Sequence, residues 1–169
     1  MSTDATTRPG VPVRSARRFR TVLLLWAALL AGADLTVKAL AEAVLSNGTT
    51  TDLGPISIRL LYNRGVAFSL GEDLAPWIVI AATGLIIAAL TWYTLSSAPA
   101  MTRLSRAGAA LLLGGAAGNF IDRLDGDGVV DYLHSGWFPT FNLADVFVTT
   151  GVALLILGTL RSPQTRTGD

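Results

Sequence analysis

Hydrophobic residues in this chain are gathered into four long runs that are separated by shorter polar segments. The runs cover about residues 19–45, 74–95, 104–124 and 143–160. Each can supply roughly the 20 residues that an α-helix needs to cross the hydrocarbon core of a bilayer. The pattern therefore predicts a mainly α membrane protein with four transmembrane helices. The ends of the third and fourth are the hardest to place, because those runs are glycine-rich or short.

Polar segments flank and connect these runs. Residues 1–19 contain two prolines and four basic residues, which predicts a disordered cytoplasmic tail. The transmembrane domain then covers residues 20–161, and residues 162–169 form a second cytoplasmic tail. Residues 46–71 combine turn-forming positions with the alternating sequence Ile56 to Leu60, so we expect a small β-like segment outside the membrane.

Composition supports a bilayer-embedded protein and excludes several kinds of site. Hydrophobic residues make up 51% of the chain and charged residues only 15%, against about 25% charged residues in a typical soluble domain. A net charge of +1 gives no basic field for nucleic acid. The absence of cysteine excludes a thiolate metal site or nucleophile. The single histidine, His134, cannot form a multi-histidine metal site and is expected at the surface, so no metal or cofactor is predicted.

The distribution of arginine predicts the orientation in the membrane. Basic residues concentrate before the first run, between the second and third, and after the fourth, and the positive-inside rule places these segments in the cytoplasm. Both termini are then cytoplasmic, and the acidic motifs lie at the outer interface. The arginines concerned are Arg14, Arg17, Arg18, Arg20, Arg103, Arg106, Arg161 and Arg166.

The first run also has the features of a cleavable signal peptide. Basic residues precede it, and Ala31-Gly32-Ala33 imitates a cleavage site. Apolar character continues to Leu45, beyond that site, and cleavage would remove the cytoplasmic anchor. An uncleaved span is therefore favoured.

Two aspartates, Asp131 and Asp145, lie at the edges of apolar runs, where charge is costly and usually functional. If they meet across the short connection between them, they can share a proton and activate a water molecule. Asp145 has a structural alternative, because Asn142 can cap the fourth helix with an acid three residues later. For Asn142 and Asp145, capping and catalysis both remain open. Asp131, which follows two valines, has no such alternative.

Other polar residues accompany the pair. Asp34 and Lys38 are four residues apart, so they share one helix face and can form either a structural ion pair or a support for a site. Asn63 can donate and accept hydrogen bonds, which suits it to hold an extended peptide backbone. Gly65 allows that backbone to approach closely, although a plain turn explains both residues equally well.

The end of the third run combines small and polar residues. Gly114 and Gly118 form a small-xxx-small pattern that predicts close helix packing. Asn119, Asp122 and Arg123 follow within about one turn. They can be a solvated helix end, or Arg123 can face a lipid phosphate or a substrate carbonyl.

Five short motifs, spread over about residues 20–155, occur in the order found in one known family. They are Asp34-x-x-x-Lys38, Asn63-x-Gly65-x-Ala67-Phe68, Gly118-Asn119-x-x-Asp122-Arg123, Val129-Val130-Asp131 and Phe141-Asn142-x-Ala144-Asp145. Together they resemble the lipoprotein signal peptidases, the bacterial type II signal peptidases. The resemblance implies an integral aspartyl endopeptidase of the bacterial inner membrane, with four transmembrane helices and an extracytoplasmic β-cradle.

The resemblance also implies a substrate and roles for residues. The substrate would be a prolipoprotein that carries diacylglycerol on a cysteine, cut just before that cysteine, and the inhibitor would be a globomycin-type cyclic peptide. The catalytic pair maps onto Asp131 and Asp145. The connection between them is short for the family, which puts an extra helix or lid there in doubt. The substrate-binding and supporting residues would be Asp34, Lys38, Asn63, Gly65, Asn119, Asp122, Arg123 and Asn142.

In the expected mechanism one aspartate is ionised and the other is protonated. The helix N-terminus favours a charged Asp145, so Asp131 would hold the shared proton. We expect a monomer in contact with membrane lipid and no nucleic-acid partner. Two rival interpretations are a proton-coupled transporter, which would normally show internal repeats and charges near the midplane, and a non-catalytic membrane scaffold.

Overall fold

The structure, a computed structural model, describes residues 13–65 and 74–161. Ala67, Phe68 and the tail over 162–169 lie outside the described residues. The described chain forms a helical bundle with a small sheet at one end. Its elements are α1 (Val13–Leu45), β1 (Thr51–Asp52), β2 (Ser57–Asn63), α2 (Pro76–Ser97), α3 (Arg103–Asp125), β3 (Val129–His134) and α4 (Leu143–Leu160).

Helix α1 begins earlier than the sequence pattern predicts. It starts at Val13, so the prediction of a disordered tail over residues 1–19 is wrong for its last seven residues. Hydropathy marks only the apolar part of a helix, whereas Ala16, Arg17 and Arg18 favour helix by intrinsic propensity. The helix therefore extends beyond the apolar run.

Three helices, α1, α2 and α4, are long and apolar enough to span a membrane. Helix α3 has 23 residues but does not belong to this set, so the fourth predicted span remains a prediction. The physical reason lies in its position. Helix α3 contacts each of the other three helices and therefore exposes little surface. Close packing on several sides suits small residues, so α3 is rich in glycine and alanine rather than in large apolar residues.

Glycines allow α3 to approach its neighbours closely. A Cβ at Gly108 would lie 2.7 Å from the carbonyl oxygen of Gly151 on α4. A Cβ at Gly114 would lie 2.9 Å from the carbonyl oxygen of Ala27 on α1, and one at Gly118 would lie 2.5 Å from Asp34 Oδ2. The predicted packing role of Gly114 and Gly118 is therefore confirmed.

The sheet is antiparallel in the order β1-β2-β3. Strand β2 confirms the strand predicted from the alternation in residues 56–60. Strand β3 had not been predicted, and it places Asp131 opposite Leu61 and Val129 opposite Asn63. Val130 and Tyr132 of β3 pack against Leu45 at the end of α1. The sheet thus lies where α1 and α3 end and α4 begins.

Candidate active site

Asp131 is held in β3 by two side-chain amides. Its side chain is buried, with the residue 2% exposed. Asn142 Nδ2 donates a hydrogen bond of 2.7 Å to Asp131 Oδ1, and Asn63 Nδ2 donates one of 3.2 Å to Oδ2. Strand pairing brings Asn63 into reach, because β2 and β3 are adjacent. Both oxygens of this carboxylate are therefore oriented by neutral donors.

Asp145 lies at the third position of α4, and both of its oxygens are also engaged. Asn142 Oδ1 accepts a hydrogen bond from Asp145 N at 3.0 Å, and Asp145 Oδ2 accepts one from Asn142 N at 3.2 Å. This capping box confirms the predicted cap. Asp145 Oδ1 accepts a hydrogen bond from Asn119 Nδ2 at 2.8 Å, the second that the carboxylate accepts. Capping and placement in a polar site thus occur together.

Asn142 and Asn119 connect the two aspartates. Asn142 binds Asp131 through its side chain and Asp145 through its backbone. Asn119 Oδ1 lies 2.7 Å from Lys38 Nζ. Because an ammonium group can only donate, this contact fixes the orientation of the Asn119 amide and points its NH2 group at Asp145.

A buried ion cluster lies beneath the asparagines. Lys38 Nζ is 2.8 Å from both Asp34 Oδ2 and Asp122 Oδ2. Lys38 is 1% exposed and Asp34 is fully buried. The predicted pairing of Asp34 with Lys38 is confirmed, and Asp122 is a second partner rather than a solvated helix end. Among residues 15–65 and 74–161, no group of three His, Asp or Glu side chains is placed to bind a metal ion.

This cluster holds the backbone next to each aspartate of the pair. Asp122 Oδ2 accepts a hydrogen bond of 3.1 Å from Val130 N, immediately before Asp131. Asp34 Oδ1 accepts one of 2.8 Å from Ala144 N, immediately before Asp145. One lysine therefore joins the two carboxylates that fix β3 and the start of α4.

Arg123 binds the protein backbone. Its Nη2 donates to the carbonyl oxygen of Gly65 at 2.8 Å and its Nη1 to that of Asn119 at 3.0 Å. Asn63 Oδ1 accepts a hydrogen bond from Gly65 N at 3.1 Å. Arg123 Nε is buried and has no partner among the described residues. Asn63 and Arg123 thus hold the segment around Gly65 next to the pair.

A cavity of about 780 Å³ opens between α2, α3, α4 and the sheet. Its polar floor contains Asp131, Asp145, Asn63, Asn119 and Arg123. Its walls are apolar and include side chains from all three helices. Those wall residues include Ile86, Ile87, Phe120, Leu112, Val146 and Val148.

The two aspartates differ in their surroundings. Burial, and next the negative charge of Asp145, raise the pKa of Asp131 to about 7, while hydrogen bonds from Asn63 and Asn142 act in the opposite direction. Near neutral pH, Asp131 is therefore poised to hold a proton beside a second carboxylate. Such a pair can perform general acid–base chemistry.

Part of this region was not predicted from the sequence. His134, expected at the surface, is half-buried at the end of β3, with Nδ1 3.0 Å from Arg59 Nη2 and 3.3 Å from Thr140 Oγ1. These contacts depend on the pairing of His134 with Ser57 in the sheet. The β-branched pair Val129-Val130 was the available signal for strand β3.

Comparison with known proteins identifies the family. A family model described as signal peptidase (SPase) II matches residues 26–161. The chain belongs to the signal peptidase II family. Members of this family are proteases, and the resemblance inferred from the five motifs is confirmed.

Curated relatives of the signal peptidase II family align with most of this chain. The lipoprotein signal peptidase of Bartonella tribocorum is 36% identical over 152 residues, covering 86% of this chain and 90% of the relative. That of Francisella tularensis subsp. novicida is 37% identical over 142 residues, covering 79% and 88%. That of an Azoarcus species is 36% identical over 146 residues, covering 82% of each chain.

Two solved structures share the fold of this signal peptidase II family member. Both are of a bacterial membrane enzyme determined by the in meso method, at 2.3 Å and 1.9 Å resolution. The first has a TM-score of 0.73 and 25% identity, covering 88% of this chain and 93% of the other. The second has a TM-score of 0.70 and 25% identity, covering 84% and 94%. They support a membrane-embedded enzyme.

Proposed function

We propose that this protein is an aspartic endopeptidase that removes signal peptides from diacylglyceryl-modified prolipoproteins, cutting just before the lipidated cysteine. The observation that carries the proposal is the pair of carboxylates, Asp131 and Asp145, that Asn142 joins at the floor of an apolar-walled cavity. Family membership and the names of the relatives support the substrate class.

In this mechanism Asp145 is ionised and Asp131 is protonated. Asp145 takes a proton from water as the water oxygen attacks the scissile carbonyl carbon, and Asp131 donates its proton to the carbonyl oxygen. Asp145 then protonates the amide nitrogen as the C–N bond breaks, and Asp131 recovers its proton from the tetrahedral intermediate. The start of α4 favours a charged Asp145, and burial of Asp131 favours its protonated form.

The cavity suits a substrate that stays partly in lipid. Its walls come from membrane-spanning α2 and α4 and from α3, so acyl chains can remain in the bilayer while the peptide reaches the pair laterally. Asn63 and Arg123 line this cavity and are placed to bind the peptide backbone or the lipid head group. A globomycin-type cyclic peptide would occupy the same cavity.

The arrangement in the membrane follows from the same positions. We propose that α3 crosses the bilayer inside the bundle, because its neighbours shield it from lipid. Both termini then lie in the cytoplasm of a bacterial cell, and the pair lies at the outer interface of the inner membrane. One chain supplies every residue of the pair and its support, which favours a functional monomer.

The test is cleavage of a purified diacylglyceryl-modified prolipoprotein by the unsubstituted protein and by Asp131→Asn and Asp145→Asn. Each substitution should lower kcat by about a thousandfold or more, since it removes an acid or a base worth 10²–10⁴ in rate. Asp127→Asn is the matched control, because Asp127 is exposed in the turn before β3. Retention of cleavage by either single variant would contradict the dyad and favour a non-catalytic scaffold.

A further inference from the structure

A second cavity, of about 690 Å³, lies between α1 and α3 at the end of the bundle away from Asp131 and Asp145. We call it the α1–α3 groove. Its α1 side is formed by Arg18, Val22, Trp26 and Leu30. These residues are spaced four apart, so their side chains follow one another along one face of the helix.

The opposite wall comes from the first two turns of α3. Arg103 and Arg106 lie at its rim, and Ala107 and Leu111 continue the wall toward the middle of the bundle. Both walls therefore change from arginine to apolar residues in the same direction. This is the polarity of a phospholipid, with a charged head and an apolar chain.

The length of the groove along α1 matches the thickness of one leaflet of the bilayer. The 12-residue interval from Arg18 to Leu30 corresponds to a rise of about 18 Å along a helix. Half of a hydrocarbon core of about 30 Å is about 15 Å. Trp26 is 55% exposed and lies on α1, which is long and apolar enough to span a membrane. A single acyl chain can therefore lie along the groove with its head group at the arginines.

The arginines have no acidic partner among the described residues. Both ion pairs within residues 15–65 and 74–161 belong to Lys38. Arg106 stacks on the ring of Phe19, with its Cζ 4.0 Å from the ring centroid. Stacking orients a guanidinium group and leaves the N–H donors at its edge available. The rim thus presents oriented positive charge without a neutralising carboxylate.

We propose that the α1–α3 groove binds an anionic phospholipid of the bilayer, with its phosphate at Arg18, Arg103 and Arg106 and one acyl chain along Val22, Trp26 and Leu30. The net negative charge of the head group complements the three guanidinium groups. A zwitterionic lipid brings its own ammonium group and gains less from this rim. In the proposed orientation the lipid belongs to the cytoplasmic leaflet.

Trp26 provides the assay. We would use the full chain with Trp77, Trp92 and Trp137 replaced by phenylalanine, reconstituted in nanodiscs of phosphatidylglycerol and phosphatidylcholine. Bromine on the acyl chains of one lipid at a time quenches the fluorescence of a neighbouring tryptophan. Quenching of Trp26 should be stronger when phosphatidylglycerol carries the bromine than when phosphatidylcholine does, at equal content of the two lipids.

Two matched variants decide the role of the rim. Arg103→Gln with Arg106→Gln should reduce the preference for phosphatidylglycerol by about 25-fold, since each arginine near an anionic head group contributes about a factor of five. Arg17→Gln with Arg161→Gln removes the same charge at exposed positions outside the groove and should keep the preference. Arg18→Gln gives a second rim variant if the double variant unfolds early in a thermal scan.

Several results would overturn the proposal. Equal quenching by the two brominated lipids would mean that the groove is ordinary lipid-facing surface. Equal loss of preference in the control variant would mean that a diffuse positive field attracts the lipid. Quenching by neither lipid would mean that another occupant, such as a second copy of the chain, covers Trp26.

Discussion

Replacement of Lys38 by methionine is the most informative perturbation of the site, because it removes the one cation that joins its two halves. Methionine keeps the length and the apolar stem of the side chain but cannot contact Asp34, Asp122 and Asn119 Oδ1 as Lys38 Nζ does. Two buried carboxylates would then face each other without a counter-charge.

The expected loss follows from this burial. Removal of one partner of a buried ion pair typically costs about 3–5 kcal/mol. Lys38 is 1% exposed, Asp34 is fully buried and Asp122 is only 8% exposed, so solvent can replace little of the interaction with the ammonium group. We therefore expect Lys38→Met to lower the free energy of unfolding by about 3–5 kcal/mol. Cleavage should also fall, because Asn119 Oδ1 loses the shorter of the two hydrogen bonds that orient its amide toward Asp145 and keeps only the one of 3.1 Å from Asn142 Nδ2.

Unfolding in mixed micelles and cleavage of a lipidated substrate measure the two effects. Arg17→Met, an exposed cation on the same helix, is the control and should change stability by less than about 0.5 kcal/mol. Adding Asp34→Asn and Asp122→Asn to Lys38→Met should restore much of the stability, because no unpaired charge remains. Unchanged stability of Lys38→Met, or no recovery in the triple variant, would refute this account.

Further predictions concern proton occupancy and packing. The proposed mechanism needs a proton on Asp131, whose pKa is raised to about 7. We therefore expect kcat/KM to fall about tenfold per pH unit above pH 7. A rise in activity up to pH 9 would contradict this. Gly118→Ala should destabilise the fold by about 1–3 kcal/mol, since its Cβ would lie 2.5 Å from Asp34 Oδ2. Gly32→Ala, whose Cβ meets nothing within 4 Å, should be neutral or slightly stabilising in the same unfolding measurement.

Local features of the site were predictable from the sequence. The pairing of Asp34 with Lys38 and the cap at Asn142 follow from spacings of three or four residues on a helix. Close packing at Gly118 follows from the absence of a side chain. The prediction that these residues lie at one end of the bundle followed from the predicted alternation of the four helices across the membrane.

Long-range contacts were not predictable in the same way. The hydrogen bond from Ala144 N to Asp34 joins residues 110 apart, and that from Lys38 Nζ to Asn119 joins residues 81 apart. Each depends on the packing of α1 against α3 and α4, and although glycines indicate close packing, no local pattern encodes which helices become neighbours. Strand β3 was missed for a related reason, because it gains its hydrogen bonds only when β2 lies beside it.

The cap at Asp145 and the catalytic role that we propose for this residue are compatible, because one arrangement of the carboxylate serves both. The cap fixes Oδ2 through Asn142 N, and Asn119 fixes Oδ1, so the carboxylate has one orientation relative to Asp131. An asparagine at this position keeps one of the two acceptors. Asp145→Asn should therefore cost only about 1 kcal/mol of stability, the net value of one hydrogen bond, while abolishing cleavage. A large loss of stability with residual activity in proportion to the folded fraction would instead assign Asp145 to the cap alone.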